Sequence, residues 1–335
     1  MKRTILSIVV LFMALNNFAN RIAHPIETNP FEGMWGLEVE GGGVGWLNVH
    51  QDQGFLDAEL LWIGGSVLSV SNIYLADENT LVVTRTYDVQ KSNARTHTIT
   101  STLRVQNIGD QLQGTLTGPN GNGLGESVTP FTGKRMPPMP ETPDISTVKY
   151  GKPIPLFNGK NMDGWRLINP ESANGFKVVD GMLVNDPAQP KEGEHIRYGN
   201  IRTDKEFEDF NLKLEVNVPE GNNSGVYLRG IYEIQVVDSY GKVLDSHNMG
   251  ALYSRITPSV AAEKPAGEWQ ALDITLVDRH VTVIFNGGKI IDNQPAWGPT
   301  GGAMSADVLA PGPIYLQGDH GNVSYRNMVL TPILK

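Results

Sequence analysis

The sequence predicts an all-β protein of two domains, and three observations carry that reading. The 335 residues include 37 Gly and 21 Pro, a turn-rich composition that favours many short strands over long helices. Hydrophobic and polar residues alternate in short runs, each bounded by Gly, Asn or Asp. One proline-dense segment, Met136-Pro-Pro-Met-Pro-Glu-Thr-Pro143, divides the chain and favours a stiff, extended linker. The expected organisation is a leader at 1–20, an up-and-down β-barrel of about eight strands at 31–135, a linker at 136–150, and a two-sheet sandwich or jelly roll at 151–335.

The leader reads as a secretory signal peptide. Lys2 and Arg3 precede an apolar run from Ile5 to Leu15, and Ala19 and Asn20 offer a cleavage point. The run is too short for a bilayer of about 30 Å. A periplasmic or secreted protein is therefore expected. The chain has no cysteine, which excludes disulfides, thiol nucleophiles, Cys-ligated zinc and a lipid anchor. Its net charge of −9, more negative once Lys2 and Arg3 are lost, argues against nucleic acid as a partner. No phosphate-cradling Gly loop, calcium-loop pattern or nucleophile elbow occurs, so neither cofactor nor metal is expected. Oligomeric state is left open.

In the first domain the alternating runs are Trp35–Glu40, Gly45–His50, Phe55–Trp62, Val67–Ile73, Thr80–Tyr87, Thr96–Gln106, Gln111–Thr117 and Val128–Lys134. Closing them into a barrel removes exposed edges. Gly33-Met34-Trp35 resembles the Gly-x-Trp that opens lipocalin- and avidin-type barrels. In those families a cation near the end of the last strand lies against the Trp, the place held here by Lys134-Arg135. The domain is read as an accessory module packed on the second domain, with a ligand-binding barrel as the alternative.

The second domain contains ten further runs. Two of their junctions are tight hairpins by composition: Val179-Asp180-Gly181-Met182 and Phe285-Asn286-Gly287. Helical turns are expected only near Thr203–Phe207 and Ala261–Glu263. In Tyr232–Asp238 the pleat puts Tyr232, Ile234 and Val236 on the core face and Glu233 and Gln235 on the other, roughly 7 Å apart. The same alternation pairs Tyr227 with Arg229, and Tyr315 with Gln317, on non-core faces. Arg229, Glu233, Gln235 and Gln317 are thus candidates for one polar sheet surface suited to sugar hydroxyls. Among seven histidines, His195, His247 and His320 fall in loops of this domain, and His320, just beyond a strand end, is the strongest candidate for proton transfer. Lys264, in a Pro-Ala-Gly loop, is a candidate cation for an enolate or a sugar oxygen. Glu233 to Asp238 reads Glu-x-Gln-x-x-Asp, where jelly-roll β-glucanases carry Glu-x-Asp-x-x-Glu. The missing central carboxylate disfavours a two-carboxylate glycosidase.

An ordered series of short motifs makes the second domain recognisable. It comprises Leu156-Phe157-Asn158-Gly159-Lys160 with Gly164-Trp165, Asp209-Phe210, Asn223-Ser224-Gly225-Val226-Tyr227-Leu228-Arg229-Gly230, and Tyr232–Asp238. It continues with Gly250-Ala251-Leu252-Tyr253, Lys264–Trp269, Gly312–Gln317 with His320-Gly321, and Tyr325-Arg326-Asn327. Over about residues 153–333 the chain resembles the 3-keto-disaccharide hydrolase domain family. It departs from the family's Leu-Gln-Asp-His-Gly by an inserted Gly318. The resemblance implies a concanavalin-like jelly roll with a carbohydrate-binding concave face. It also implies net hydrolysis of glycosides carrying a ketone at C3, by elimination and hydration or directly. A C3 ketone acidifies the C2 proton, so the chemistry needs a base, a donor for the C3 oxygen and an acid for the leaving oxygen. The expected catalytic residues are Glu233, His320 and Arg229. Gln235, Asp238, Gln317, His247, Lys264 and Tyr253 are expected to bind substrate. A non-catalytic carbohydrate-binding protein on the same fold is the alternative.

Overall fold

A computed structural model describes residues 29–334 except 93–94 and 191–192. The signal-peptide expectation lies outside the described residues. The chain is all-β. Among the described residues the only helical turn is a 3-10 turn at Ile145–Thr147, capped by the Asp144 carboxylate. The two helical turns expected from sequence do not form: Ile201–Thr203 is a strand, Phe207 bridges to Gly312, and 261–263 has no regular structure.

The first sheet contains β1 (Gly33–Val39), β2 (Val44–Asp52), β3 (Phe55–Trp62), β4 (Gly64–Ser69), β5 (Asn72–Asp77), β6 (Thr80–Ser92), β7 (Arg95–Ile108), β8 (Gln111–Pro119) and β9 (Glu126–Arg135). Its order is β4-β3-β2-β1-β9-β8-β7-β6-β5, an antiparallel meander whose first strand pairs with its last. The run expected as one strand, Val67–Ile73, is split between β4 and β5, where the Val70 and Ser71 amides bond to Ala58 and Thr84 on either side. The Arg135 guanidinium lies 4.2 Å over the Trp35 ring and donates to the carbonyls of Glu32 and Pro30. Trp35 Nε1 donates to Phe31 O at 2.7 Å, so the segment before β1 is fastened across one end of the sheet.

The linker does not stand free. Met136 is buried in the second domain's core cluster. The carbonyls of Pro137 and Pro138 accept from Arg279, and that of Pro143 accepts from Asn293. Proline leaves its carbonyl as the available hydrogen-bonding backbone group, and the sandwich uses it.

The second domain comprises β10 (Lys149–Tyr150), β11 (Ile154–Pro155), β12 (Trp165–Leu167), β13 (Phe176–Val179), β14 (Met182–Asn185), β15 (Ile201–Thr203), β16 (Phe210–Asn217), β17 (Asn223–Leu228) and β18 (Tyr232–Val237). It continues with β19 (Trp269–Val277), β20 (His280–Phe285), β21 (Gly288–Pro295), β22 (Tyr315–Leu316) and β23 (Val323–Leu334). One sheet runs β13-β14-β23-β16-β19-β20-β21, with β10 and β11 also paired to β23. The other runs β12-β15-β22-β17-β18. Both expected hairpins form. Asp180 and Gly181 have φ of 50° and 76°, and Asn286 and Gly287 48° and 85°, the doubly positive φ of the hairpin turn that Asp-Gly and Asn-Gly favour. The core between the sheets is built from Leu212, Leu214, Val226, Ile234, Val236, Ile274, Val283, Leu316 and their neighbours. Burying this much apolar surface is the main stabilising term of such a sandwich.

The two domains are docked. Trp46 and Leu61, on the outer faces of β2 and β3, belong to the sandwich's core cluster. The Arg255 guanidinium stacks 4.2 Å over Trp46 and donates to Pro299 O. This explains why Val44–Leu47 is buried at four consecutive positions where one covered face would bury alternate residues.

Candidate functional site

The outer face of the β12-β15-β22-β17-β18 sheet carries the site. Its register sets Tyr227 opposite Glu233 on one side and opposite Tyr315 on the other. The two tyrosine rings stack at 3.8 Å, 9° from parallel. Gln317 donates from Nε2 to the Tyr227 hydroxyl at 3.2 Å. Glycine at position 225 leaves room for the Glu233 carboxyl, which a Cβ there would displace. The alternation expected from sequence therefore holds for Tyr227, Glu233, Gln235, Tyr315 and Gln317.

This face is covered. Glu233 is 3% exposed and Gln235 4%. The cover over Glu233 and the tyrosines is the loop from Thr300 to Met304. Thr300 Oγ1 accepts from the Glu233 amide, Gly301 O accepts from the Tyr227 hydroxyl at 2.6 Å, and Gly302 O accepts from the Tyr315 hydroxyl at 3.2 Å. The loop is held in turn by the first domain: Gly302 N donates to Ile63 O, and Gly301 sits so close to Gly65 that any Cβ would collide with its backbone.

Proton counting defines the state of Glu233. The Tyr227 hydroxyl has one hydrogen and two acceptors within reach, Gly301 O at 2.6 Å and Glu233 Oε2 at 2.9 Å. A backbone carbonyl can only accept. When the tyrosine hydrogen goes to Gly301, the Glu233 bond requires a proton on the carboxyl. Burial acts the same way: desolvation pushes the Glu233 carboxyl up to about 8, against smaller lowering effects of Tyr227 and His320. Both effects favour the neutral, proton-carrying form of Glu233 at neutral pH. Burial also raises the Tyr227 and Tyr315 hydroxyls, which stay protonated.

His320 and Asp319 lie near enough for their charges to act on Glu233. His320 Nδ1 lies 2.7 Å from Asp319 Oδ1, and both side chains are half-exposed. The hydrogen bond to Asp319 raises the imidazole above its ordinary value despite partial burial. Desolvation, the largest single effect, pushes the Asp319 carboxyl up, but the hydrogen bond and charge of His320 and a backbone hydrogen bond together hold it below its ordinary value. With Nδ1 committed, Nε2 is the nitrogen left for chemistry. Because Gly318 N is bonded to Asn200 Oδ1, the inserted glycine is fixed and both residues of the pair stay at the strand end.

Other expected site residues divide. Gln235, His247 and Tyr253 line a cleft of about 360 Å³ next to this cluster. Asp238 does not line it, although its neighbours Val237 and Ser239 do; its Oδ2 accepts from the Gly221 amide. Arg229 is not brought to the cluster. It occupies the turn after β17, with φ of 56°, and its guanidinium donates to the carbonyls of Val308 and Ala310. Extending the strand's alternation one residue past Leu228 gave it the wrong direction. Lys264 is also elsewhere, its ammonium on Trp269 O and its amide on Gln270, because the Pro-Ala-Gly loop folds back onto its own strand. Tyr227, Tyr315 and the Gly301 and Gly302 carbonyls were not among the expected site residues. Among the described residues no group of three or more His, Asp or Glu side chains is arranged to hold a metal ion.

A two-sheet jelly-roll sandwich with a buried, neutral carboxyl on an outer sheet face is the class these features define. The chain belongs to the 3-keto-alpha-glucoside-1,2-lyase-like domain family, which matches residues 152–331. Over 150 residues it is 27% identical to a 3-keto-disaccharide hydrolase of Bacteroides thetaiotaomicron, covering 36% of this chain and 51% of that protein. The chain thus spans about half the length of the curated relative it matches. Among solved structures it is similar to a Parabacteroides distasonis protein provisionally described as a glycosyl hydrolase (28% identity, 59% of this chain and 93% of that one, TM-score 0.43). It is also similar to a carbohydrate-binding module from Bacillus subtilis (14% identity, 51% and 97%, TM-score 0.31).

Proposed function

We propose that the protein is an exported enzyme that cleaves 3-keto-glycosides, 3-keto-disaccharides among them. The observation that carries the reading is the neutral Glu233 carboxyl near the His320–Asp319 pair, in a domain of a family described by 3-keto-glucoside chemistry. His320 Nε2 takes the C2 proton, which the neighbouring ketone makes acidic. The C1–O bond breaks, its electrons leave with the aglycone oxygen, and that oxygen takes the Glu233 proton. The product is a sugar with a C1=C2 double bond next to the C3 ketone. Water then adds across the double bond, its hydroxyl to C1 and a proton to C2, giving the free 3-keto sugar. Gln317 Nε2 carries a second hydrogen beyond the one given to Tyr227, and it donates to the C3 oxygen as negative charge develops there. Asp319 accepts the Nδ1 hydrogen and stabilises the imidazolium. The substrate reaches this protein outside the cytoplasm, consistent with the leader expected at 1–20.

The test is release of the aglycone from 3-keto-trehalose and from a 3-keto-glucoside in deuterated water. Cleavage with deuterium at C2 of the released sugar is the expected result. Cleavage without it replaces elimination by direct hydrolysis. No cleavage of any 3-keto-glycoside, together with binding of the unoxidised sugars, replaces the enzyme by a carbohydrate-binding protein.

A further inference from the structure

The cleft that starts at Gln235 is lined by the second domain and braced from outside by the first. Gln235 is two residues along β18 from Glu233 on the same face, roughly 7 Å away. Asn223, Ser239, His247 and Tyr253 line the same cleft. Asn223 Oδ1 is buried without a hydrogen-bond partner, a state that native structures seldom tolerate in a finished core and that a small movement of the side chain into the cleft would relieve. The His247 ring stands edge-on to Tyr253, centroids 5.0 Å apart at 85°. His247 itself is fixed from the first domain: Ser66 Oγ lies 2.8 Å from His247 Nε2, and Val67 N donates to Ser254 Oγ at 2.9 Å. The volume of about 360 Å³ is at the low end of small-molecule sites, the scale of one sugar ring with a few waters. Its lining combines planar amides, hydroxyls, an imidazole and an aromatic face with Lys242 and Asp245 of opposite charge, donors and acceptors that suit sugar hydroxyls.

We propose that this cleft seats the second ring of a disaccharide-sized substrate, the unit that leaves, and that Ser66 of the first domain is a positioning residue for it through His247. The proposal rests on the reading of the Glu233 cluster as the place where the glycosidic bond breaks. The accessory domain then sets which glycosides are accepted, while the chemistry stays in the sandwich. Asn223 and His247 hold hydroxyls of the leaving ring, and Tyr253 offers it an apolar face.

The test uses the full-length protein and two substrates that differ only in the second ring: a 3-keto-disaccharide and the methyl 3-keto-glucoside. Ser66→Ala and Asn223→Leu are expected to raise KM for the disaccharide about tenfold, the loss of one hydrogen bond to a neutral group. The methyl glucoside should be unaffected, kcat should be retained, and Ser66→Thr should restore the wild-type KM. Equal changes for both substrates, or none for either, would overturn the proposal. Calorimetric titration with the unoxidised disaccharide and with methyl glucoside separates the two readings. If the wild type cleaves neither 3-keto compound but binds the disaccharide in a way that Ser66→Ala weakens, the subsite stands and the catalytic reading fails. Disaccharide binding indifferent to both substitutions overturns the subsite whatever the activity.

Discussion

Replacing Glu233 by Gln tests the buried carboxyl most directly, because the amide keeps the shape and offers an N–H to the Tyr227 oxygen while removing the titration. A carboxyl carried from 4.5 to about 8 holds its proton more tightly folded than unfolded. Its contribution to stability is therefore full below about pH 4.5 and is lost as pH rises through about 8. At roughly 1.4 kcal/mol per pH unit, the loss is about 3 kcal/mol by pH 7 and about 5 kcal/mol above pH 8. The Gln variant has no such loss. Urea unfolding of both proteins between about pH 5 and pH 9 should thus give curves that nearly meet at the acid end and separate by several kcal/mol at the alkaline end, the variant being the more stable. Turnover of a 3-keto-glycoside should fall by about 10²–10⁴ in the same variant. A free-energy difference that stays constant across this range would mean that Glu233 is an ordinary ionised carboxylate, and the proton-counting argument would fail with it.

Turnover should follow a bell in pH, its acid limb set by His320, which titrates above its ordinary value, and its alkaline limb by Glu233 near 8. In Asp319→Asn the imidazole loses the partner that raises it, so the acid limb of the kcat profile should move to lower pH. Gly225→Ala should displace the Glu233 carboxyl and destabilise the fold by about 1–3 kcal/mol, read by urea unfolding, with activity lost more steeply than stability. Arg229→Met should lower the unfolding free energy by about 1–3 kcal/mol, since buried carbonyls at Val308 and Ala310 lose their donor. Its KM for the methyl 3-keto-glucoside should stay near wild type; a KM effect without a stability effect would return Arg229 to the substrate.

The two-sheet fold was legible because period-2 alternation, Asp-Gly and Asn-Gly are local signals. Glu233 and Gln235 were placed on a common face by the same periodicity. The Tyr227–Tyr315 stack was not legible, because it depends on β22 lying beside β17, a pairing between segments about ninety residues apart that no local pattern records. The Gly301 and Gly302 acceptors left no trace either, since every residue except for its side chain presents the same carbonyl. Arg229 misled for a physical reason: the pleat ends where the turn begins. The docking of the domains left one faint mark, the unbroken burial of Val44–Leu47, which in sequence is an apolar Val-Gly-Trp-Leu inside an otherwise alternating strand.

The single hydrogen on Tyr227 links the acid to the cover above it. Whatever removes the proton from Glu233 leaves a carboxylate beside the Tyr227 hydroxyl, its hydrogen-bond partner, and that hydroxyl then swings from Gly301 O to Oε2. The covering loop then keeps its ties to Ile63 and Tyr315 but loses its shortest one to the site. Loss of the Glu233 proton and slackening of the loop above it are thereby the same event, and reprotonation of Glu233 re-closes it.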